Sequence, residues 1–233
     1  MTLLTVINNT QDSLGLPRSS SVIGATDQNT RTLLAQANQE GKELMRRHNW
    51  EKLTTEDTFV STATETQTGV FNSNFDRIVN ETVYNRTQKR RVLGPLSSRE
   101  WQNQKAVTAT VLTDAFRIRG GDMLLIPIPP AGNTYAFEYV SRDWCESSGG
   151  TGQYEWTADT DVGVLDEELM KLGLIWRFKK SKELDYAEDF ATYEREVNQA
   201  IMRDGGRRSL SYGGDAQLNQ VIGAYVPEGS WSL

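Results

Sequence analysis

The chain has 233 residues, of which 37% are hydrophobic, and this is enough for one large or two small domains with an ordinary core. The net charge of −6 argues against a general nucleic-acid-binding surface, because phosphate contacts need a basic excess. A single cysteine, Cys145, excludes an internal disulfide, and with a single histidine, His48, there is no Cys/His set for structural zinc.

The chain also lacks the patterns of membrane insertion or export. No apolar run approaches the roughly 20 residues of a membrane span. The polar start, MTLLTVINNTQDS, has neither the basic nor the apolar region of a signal peptide. We therefore expect a soluble protein made in a reducing compartment, without a membrane, metal or cofactor.

Two helices are predicted before residue 53. Apolar residues at helical spacing over 3–14 predict a short helix that Pro17 terminates. A second helix is predicted from a cap at Thr26 or Asp27 to about Trp50.

Two small residues, Ala37 and Gly41, lie four positions apart on the second helix. Residues at this spacing share one helix face, since a turn takes 3.6 residues. We expect a neighbouring helix to approach closely at that face.

Beyond Leu53 the composition changes to threonine, valine, phenylalanine and asparagine, and helical periodicity is lost. This change predicts a β-rich lobe over residues 54–160, inserted between helical parts. Strands are predicted over 58–64 and 71–78, with a further piece over 78–84. The sequence SSREWQNQKA predicts a short helix capped by Ser97 or Ser98 and held by Trp101.

The clearest β pattern lies between residues 115 and 140. Apolar and basic residues alternate over 116–119, a turn follows at Gly120, and a strand is predicted over 123–128 before two prolines. The aromatic residues Tyr135, Phe137 and Tyr139 then share one strand face. These segments predict an antiparallel meander.

Residues 161–206 carry the strongest helical pattern. One amphipathic helix is predicted from the apolar stripe Leu165, Leu169, Leu172 and Trp176. A second helix is predicted to begin with a capping box formed by Asp185 and Glu188 and to end before Gly205. Its apolar ridge is Tyr186, Phe190, Tyr193, Val197 and Ile201.

These patterns predict an α+β fold. About four helices from both chain ends, residues 1–53 and 161–206, are expected to form a helical bundle from which the β lobe of residues 54–160 projects. The predicted helical core consists of Leu169, Leu172, Trp176, Phe190, Tyr193 and Val197.

The C-terminal segment, residues 207–233, has no helical ridge but is rich in apolar side chains for a disordered tail. We expect an extended tail that orders on another surface by strand pairing and pocket filling. The docking residues would be Tyr212, Val221, Ile222, Tyr225 and Trp231. Folding of the tail onto its own chain is the alternative.

No nucleotide-binding, zinc-protease or serine-hydrolase motif occurs. Carboxylate pairs at Glu167 and Glu168, or at Asp143 and Glu146, leave open a glycosidase-like function such as peptidoglycan hydrolysis. Exposed aromatic residues of the 135–156 region would instead indicate a carbohydrate-binding module, although packing in the lobe explains them equally well.

Three blocks of sequence, in this order, carry a family resemblance. They are TVINNTQDSLGLPRSSSVIGATDQNTRTLLAQANQEGKELMRRHNWEKL, FDRIVNETVYNRTQKRRVLGPLSSREWQ and LDEELMKLGLIWRFKKSKELDYAEDFATYEREV. Over most of its length, to about Gly206, the chain resembles the head-to-tail adaptor proteins of tailed bacteriophages, most closely the adaptor or tail tubular proteins of short-tailed phages.

The resemblance implies a non-enzymatic structural protein of the virion tail or neck, assembled in the host cytoplasm. It implies a homo-oligomeric ring of about twelve copies beneath the portal protein. The β lobes would face the distal tail (nozzle or tail tube) protein, the C-terminal tail would reach the portal, and genome DNA would pass through the lumen during ejection without sequence-specific binding. An acidic balance suits such a channel, because it weakens attraction to passing phosphates.

Overall fold

The computed structural model describes residues 1–106 and 114–205. Within these ranges the protein is an α+β structure, as predicted, with five helices and antiparallel sheets. The helices are α1 (Leu3–Ser13), α2 (Gln28–Arg47), α3 (Ser98–Ala106), α4 (Glu167–Ser181) and α5 (Ala187–Arg203). The strands are β1 (Thr54–Val60), β2 (Thr66–Gln67), β3 (Phe75–Ile78), β4 (Tyr84–Asn85), β5 (Arg90–Arg91), β6 (Ala115–Arg119), β7 (Asp122–Ile126), β8 (Thr134–Ser141), β9 (Cys145–Glu146), β10 (Gly152–Gln153) and β11 (Val162–Gly163).

Side-chain caps explain where two of the long helices begin. Asp27 precedes α2 and accepts a hydrogen bond from the Thr30 N–H at 2.9 Å. Asp166 precedes α4 and accepts from the Glu168 N–H at 2.9 Å. Each carboxylate satisfies an amide that lacks an intrahelical partner and suits the positive end of the helix dipole.

The start of α5 differs from the predicted capping box. Tyr186 occupies the cap position without a side-chain hydrogen bond, and the Asp185 carboxylate accepts from the Ala187 N–H at 3.2 Å. The helix therefore begins later than a box closed between Asp185 and Glu188 requires. At α3 the cap is Ser97, one of the two predicted residues, and it forms a capping box: the Ser97 N–H donates to Glu100 at 2.8 Å and the Glu100 N–H donates to Ser97 at 3.3 Å.

Helix α4 lies in the middle of the helical part and packs against α1, α2 and α5. It consequently buries more than one side, and Met170, Leu174 and Phe178 are buried as well as Leu169 and Trp176. A single apolar stripe was the wrong expectation for this helix, because a helix with three neighbours has no continuous solvent face.

The two chain ends share one hydrophobic cluster. Leu3 and Ile7 of α1, and Leu33 and Leu44 of α2, belong to it together with α4. The Leu3 N–H also donates to the Asp161 carbonyl at 2.8 Å, which ties the N-terminus to the strand before α4. This first cluster additionally contains Val140, Trp144, Cys145 and Trp156, so the last part of the predicted lobe packs on the helices.

The sheet topology differs from a simple meander. Strands β6 and β7 form the predicted hairpin, with β2 on the other side of β7. Strand β8 does not pair with β7, and crosses instead to another sheet, where it pairs with β1 on one side and with β3 and β4 on the other. The loop after β7 contains Pro129 and Pro130, which lack the N–H groups that a continuing ladder would need.

The aromatic residues of β8 build a second hydrophobic cluster between the sheets. Tyr135, Phe137 and Tyr139 are each at most 2% exposed, and Phe59 of β1 stacks on Tyr135 with ring centroids 5.3 Å apart. The shared face predicted for the three residues is thus the buried one. Strand β1 begins four residues earlier than predicted, because it pairs along almost the whole of β8.

Candidate functional site

The residues predicted to form the helical core have different environments. Leu169, Trp176, Tyr193 and Val197 are buried, and Leu172 is half-buried against the same cluster. Phe190 is 39% exposed, which corrects its assignment to the core. Only Tyr193 and Val197 of α5 are fully buried, because this helix packs mainly against α4 and leaves its outer side to solvent.

The connection between α4 and α5 exposes a group of large apolar side chains. Leu184, Tyr186 and Phe190, which we call the hairpin-tip surface, are 55%, 37% and 39% exposed. The ring of Trp176 lies beside the two aromatic residues, with its centroid 5.1 Å from that of Phe190 and 6.4 Å from that of Tyr186. The Trp176 indole N–H is buried and has no hydrogen-bond partner among the described residues.

A buried polar cluster joins α2, α4 and α5 behind this surface. It consists of Glu40, Glu43, Arg177 and Tyr193. The Glu40 carboxylate, 0% exposed, accepts from Arg177 Nε at 2.6 Å and from the Tyr193 hydroxyl, while Arg177 also donates to Glu43. Two donors therefore satisfy a carboxylate that burial would otherwise make very unfavourable.

Burial and charge act in opposite directions on these groups. Burial raises the pKa of Glu40, although Arg177 and the Tyr193 hydroxyl oppose the rise. Partial burial would raise the pKa of Glu43, but hydrogen bonds from Gln39 and Arg177 lower it overall. Burial and the neighbouring Glu40 raise the pKa of Tyr193, which therefore remains a hydroxyl donor.

Close helix contacts form where glycine leaves room. A Cβ atom on Gly173 would lie 2.3 Å from Cδ of Glu40, so α4 approaches α2 at this position. A Cβ atom on Gly41 would lie 2.3 Å from the Trp144 indole, which occupies the face where we expected a helix. The close approach at Gly41 is thus made by the chain after β8.

The buried polar cluster was missed in the sequence, although a signal for it exists. Glu40 occurs at helical spacing among Leu33, Ala37 and Leu44, which form the buried side of α2. A charged residue at such a position needs a buried partner of opposite charge, and Arg177 directly follows Trp176 in α4. The sequence alone did not indicate which basic residue that partner is.

The predicted docking residues of the tail, Tyr212, Val221, Ile222, Tyr225 and Trp231, lie outside the described residues. The last described residues, Asp204 and Gly205, lie beside the segment that leads into β1. Asp204 Oδ2 accepts from the Glu51 N–H at 3.0 Å and is 3.3 Å from His48 Nε2.

The structure shows the surroundings of the carboxylate pairs and aromatic residues that were considered as sites. Glu167 pairs with the N-terminal amine, and Glu168 lies 2.7 Å from Lys171 Nζ. Asp143 packs against Gly152, next to the small sheet in which Glu146 lies. Of the aromatic residues, Tyr135, Tyr139, Trp144 and Trp156 are buried and Tyr154 is half-buried, so they do not form an exposed row.

The cysteine is a buried thiol. Burial, helped by the negative charges of Asp161, Asp143 and Glu155, raises the pKa of Cys145 to about 12. Such a thiol is scarcely ionised near neutral pH. Across residues 1–106 and 114–205, no group of three or more potential ligands could hold a metal ion, and no helix has the length and apolar character needed to cross a membrane.

Comparison with known proteins adds no family assignment. No protein-family model matches the chain, and no curated protein is significantly similar to it.

Proposed function

We propose that the chain is a structural virion protein, a head-to-tail adaptor that forms a ring between the portal and the distal tail protein. The ring of about twelve copies forms part of the channel for DNA ejection. In this proposal the bundle of about four helices from both chain ends builds the ring wall, the inserted β lobe faces the distal tail, and the extended C-terminal tail docks on the portal. The order of the three sequence blocks supports the proposal.

The structural observation that carries the proposal is the hairpin-tip surface. Leu184 and Tyr186 lie in the connection between α4 and α5, Phe190 lies in the first turn of α5, and all three side chains are large and exposed. Large apolar side chains that are exposed in one region of a surface can mark a protein contact. A ring of identical chains needs such a face on every subunit, matched by a different face on its neighbour.

Assembly with the portal tests the proposal directly. The purified chain is mixed with portal rings and imaged by negative-stain electron microscopy, with portal alone as the control. We expect an additional ring on one end of each portal. Portal particles that keep their original outline at saturating adaptor concentration would contradict the proposal.

A substitution at the hairpin tip tests the ring contact. We expect the variant Leu184→Ser, Tyr186→Ser, Phe190→Ser to keep its fold and to assemble about tenfold more weakly or worse, since it loses three apolar contacts. The matched control is Met202→Ser, because Met202 is 76% exposed at the other end of α5. Quantitative pull-down on portal, with circular dichroism as the folding check, provides the measurement; equal losses for both variants would contradict the assignment.

A wall-degrading enzyme is separated from an adaptor by zymography against purified peptidoglycan. We expect no clearing by the wild-type chain. Clearing that is lost in Glu168→Gln or Asp143→Asn would support the hydrolase and refute a purely structural role.

A further inference from the structure

Strand β1 forms one edge of its sheet. It pairs with β8 along all seven residues from Thr54 to Val60, and among the described residues no strand pairs with its other side. Such an edge exposes backbone N–H and C=O groups that can accept another strand. The strand contains neither proline nor lysine, residues that commonly block edge pairing.

The pairing register identifies which backbone groups point away from the sheet. The Ser61 N–H donates to Asn133, directly opposite, at 2.8 Å, so the odd-numbered residues of β1 bond to β8. On the other side of β8, the Glu138 carbonyl accepts from the Val79 N–H. The backbone N–H and C=O groups of even-numbered β8 residues therefore point away from β1. The backbone groups of Glu56, Thr58 and Val60 therefore face outward.

The outward side of β1 is largely open. Glu56 and Thr58 are exposed and Val60 is 63% exposed. The Thr58 N–H donates to the Asp57 carboxylate at 2.7 Å. The N–H groups of Glu56 and Val60 have no hydrogen-bond acceptor among the described residues. Two amides at a spacing of four residues are thus available on one edge.

The last described residues, Asp204 and Gly205, lie close to the start of strand β1. Asp204 accepts from the Glu51 N–H, and Glu51 lies three residues before β1. Residues 206–233, which follow, number 28 in this chain. An extended stretch covers about 3.3 Å per residue, so the seven residues of β1, about 23 Å long, are well within reach.

The composition of this segment suits strand addition. It includes the run QVIGAYV, residues 220–226, which contains β-branched and aromatic residues and ends before Pro227. Between Ser209 and Leu233 the only charged residues are Asp215 and Glu228, so charge opposes close pairing weakly. Tethering beside the edge also gives the segment an effective concentration in the millimolar range.

We propose that the C-terminal segment, residues 206–233, adds a strand to the outward edge of β1 in its own chain. We assign an intramolecular occupant because the segment follows Gly205, and the neighbouring Asp204 bonds to Glu51, three residues before the edge. This inference goes beyond the proposed function, since it describes the subunit before any portal is present. The same segment then has two alternative positions, on β1 in the free subunit and on the portal after docking.

Amide hydrogen exchange by NMR tests the proposal on the full chain and on a chain truncated after Gly205. We expect the Glu56 and Val60 amides to exchange at least tenfold more slowly in the full chain. The amides of Asp57 and Phe59, which bond to β8, serve as the folding control and should exchange equally in both. Equal exchange of Glu56 and Val60 in the two chains would overturn the proposal.

A substitution and a dilution complete the test. In the full chain, Val60→Pro removes one outward N–H and leaves the hydrogen bonds between Phe59 and β8. The exchange protection of the Glu56 amide should then fall toward its value in the truncated chain. Val60→Thr is the matched control and should retain the protection of the full chain. Protection that is independent of protein concentration supports pairing within the chain. Protection that disappears on tenfold dilution would overturn the intramolecular assignment in favour of a second copy.

Discussion

At the scale of single residues, Glu40 shows how one buried charge constrains three helices. It lies on α2, accepts from Arg177 of α4 and from Tyr193 of α5, and is fully buried. A buried carboxylate is tolerated when its lone pairs are occupied and a positive charge lies close by. The buried polar cluster therefore fixes the relative register of the helices, in addition to the contacts of their apolar side chains.

Removal of Arg177 leaves Glu40 buried without its counter-charge. We expect Arg177→Met to lower the free energy of unfolding by about 3–5 kcal/mol at neutral pH, in line with other broken buried pairs. Arg195→Met is the matched control, since Arg195 is exposed on α5 and should cost less than about 0.5 kcal/mol. Urea denaturation followed by tryptophan fluorescence measures both, and equal stability of the two variants would contradict the role of the pair.

The stability loss in Arg177→Met should also depend on pH, because Arg177 affects the pKa of Glu40. The pKa of Glu40 is raised in the folded protein, so the folded state binds more protons than the unfolded state and stability falls as pH rises through that window. Loss of Arg177 removes a charge that lowers this pKa and also the support that keeps the pKa of Glu43 low. We expect the stability gap between wild type and Arg177→Met to shrink as pH falls from 7 to about 5. Denaturation curves across this range measure the gap, and a gap that widens would contradict the prediction.

Gly173 is required for space, which opposes its intrinsic effect on the helix. Alanine favours a helix over glycine by about 1 kcal/mol, but a Cβ atom here would collide with the Glu40 side chain. We expect Gly173→Ala to be destabilising by about 1–3 kcal/mol, because the carboxylate must leave Arg177 or the helices must separate. Thermal unfolding checks this, and an increase in Tm would contradict the close contact.

At the scale of elements, α5 is held by few buried residues. Tyr193 and Val197 are its buried residues, and Asp189 forms an ion pair with Lys179 of α4 at 2.5 Å. The side chain of Phe190 is partly exposed to solvent. Helical periodicity groups these residues on one ridge. It does not show how much of each side chain its neighbours cover, and Phe190 contacts Trp176 of α4 while remaining 39% exposed.

Trp176 and Phe190 should therefore differ in their effects on stability. We expect Trp176→Ala to cost on the order of 3 kcal/mol or more, because it leaves a cavity between α4 and α5. Phe190→Ala, the matched control in the same aromatic group, should cost less than about 1 kcal/mol because its ring is partly solvated. Chemical denaturation of both variants provides the measurement. An unchanged midpoint for Trp176→Ala would count against its packing role.

Strand β8 is the element that connects the two halves of the structure. Its aromatic face belongs to the second hydrophobic cluster, while Val140 near its end belongs to the first. The chain then continues through Trp144, whose indole packs on Gly41 of α2. The boundary of the lobe is therefore a packed surface shared by strand and helix residues.

At the scale of the whole molecule, we expect the C-terminal segment to be required for attachment to the portal but not for folding. We expect truncation after Gly206 to leave a folded protein that no longer attaches to the portal, since residues up to 205 form two hydrophobic clusters among themselves. Circular dichroism and co-sedimentation with portal rings measure the two properties. Normal attachment of the truncated chain would contradict the docking role of Tyr212, Val221, Ile222, Tyr225 and Trp231.

Local chemistry in the sequence determined much of the secondary structure. Asp27, Ser97 and Glu100 marked helix starts because capping depends on residues only two or three positions apart. The alternation in β8 identified its buried aromatic face because strand periodicity is equally local. The α+β class followed from these local patterns.

Only the tertiary structure decided which elements became neighbours. It placed α4 between three helices, moved β8 away from β7 to the centre of another sheet, and left Phe190 partly in solvent. It also joined Glu40 to Arg177 across 137 positions of sequence. Such contacts depend on the packing of distant segments, which local periodicity does not encode, and they determine which surfaces remain exposed for assembly.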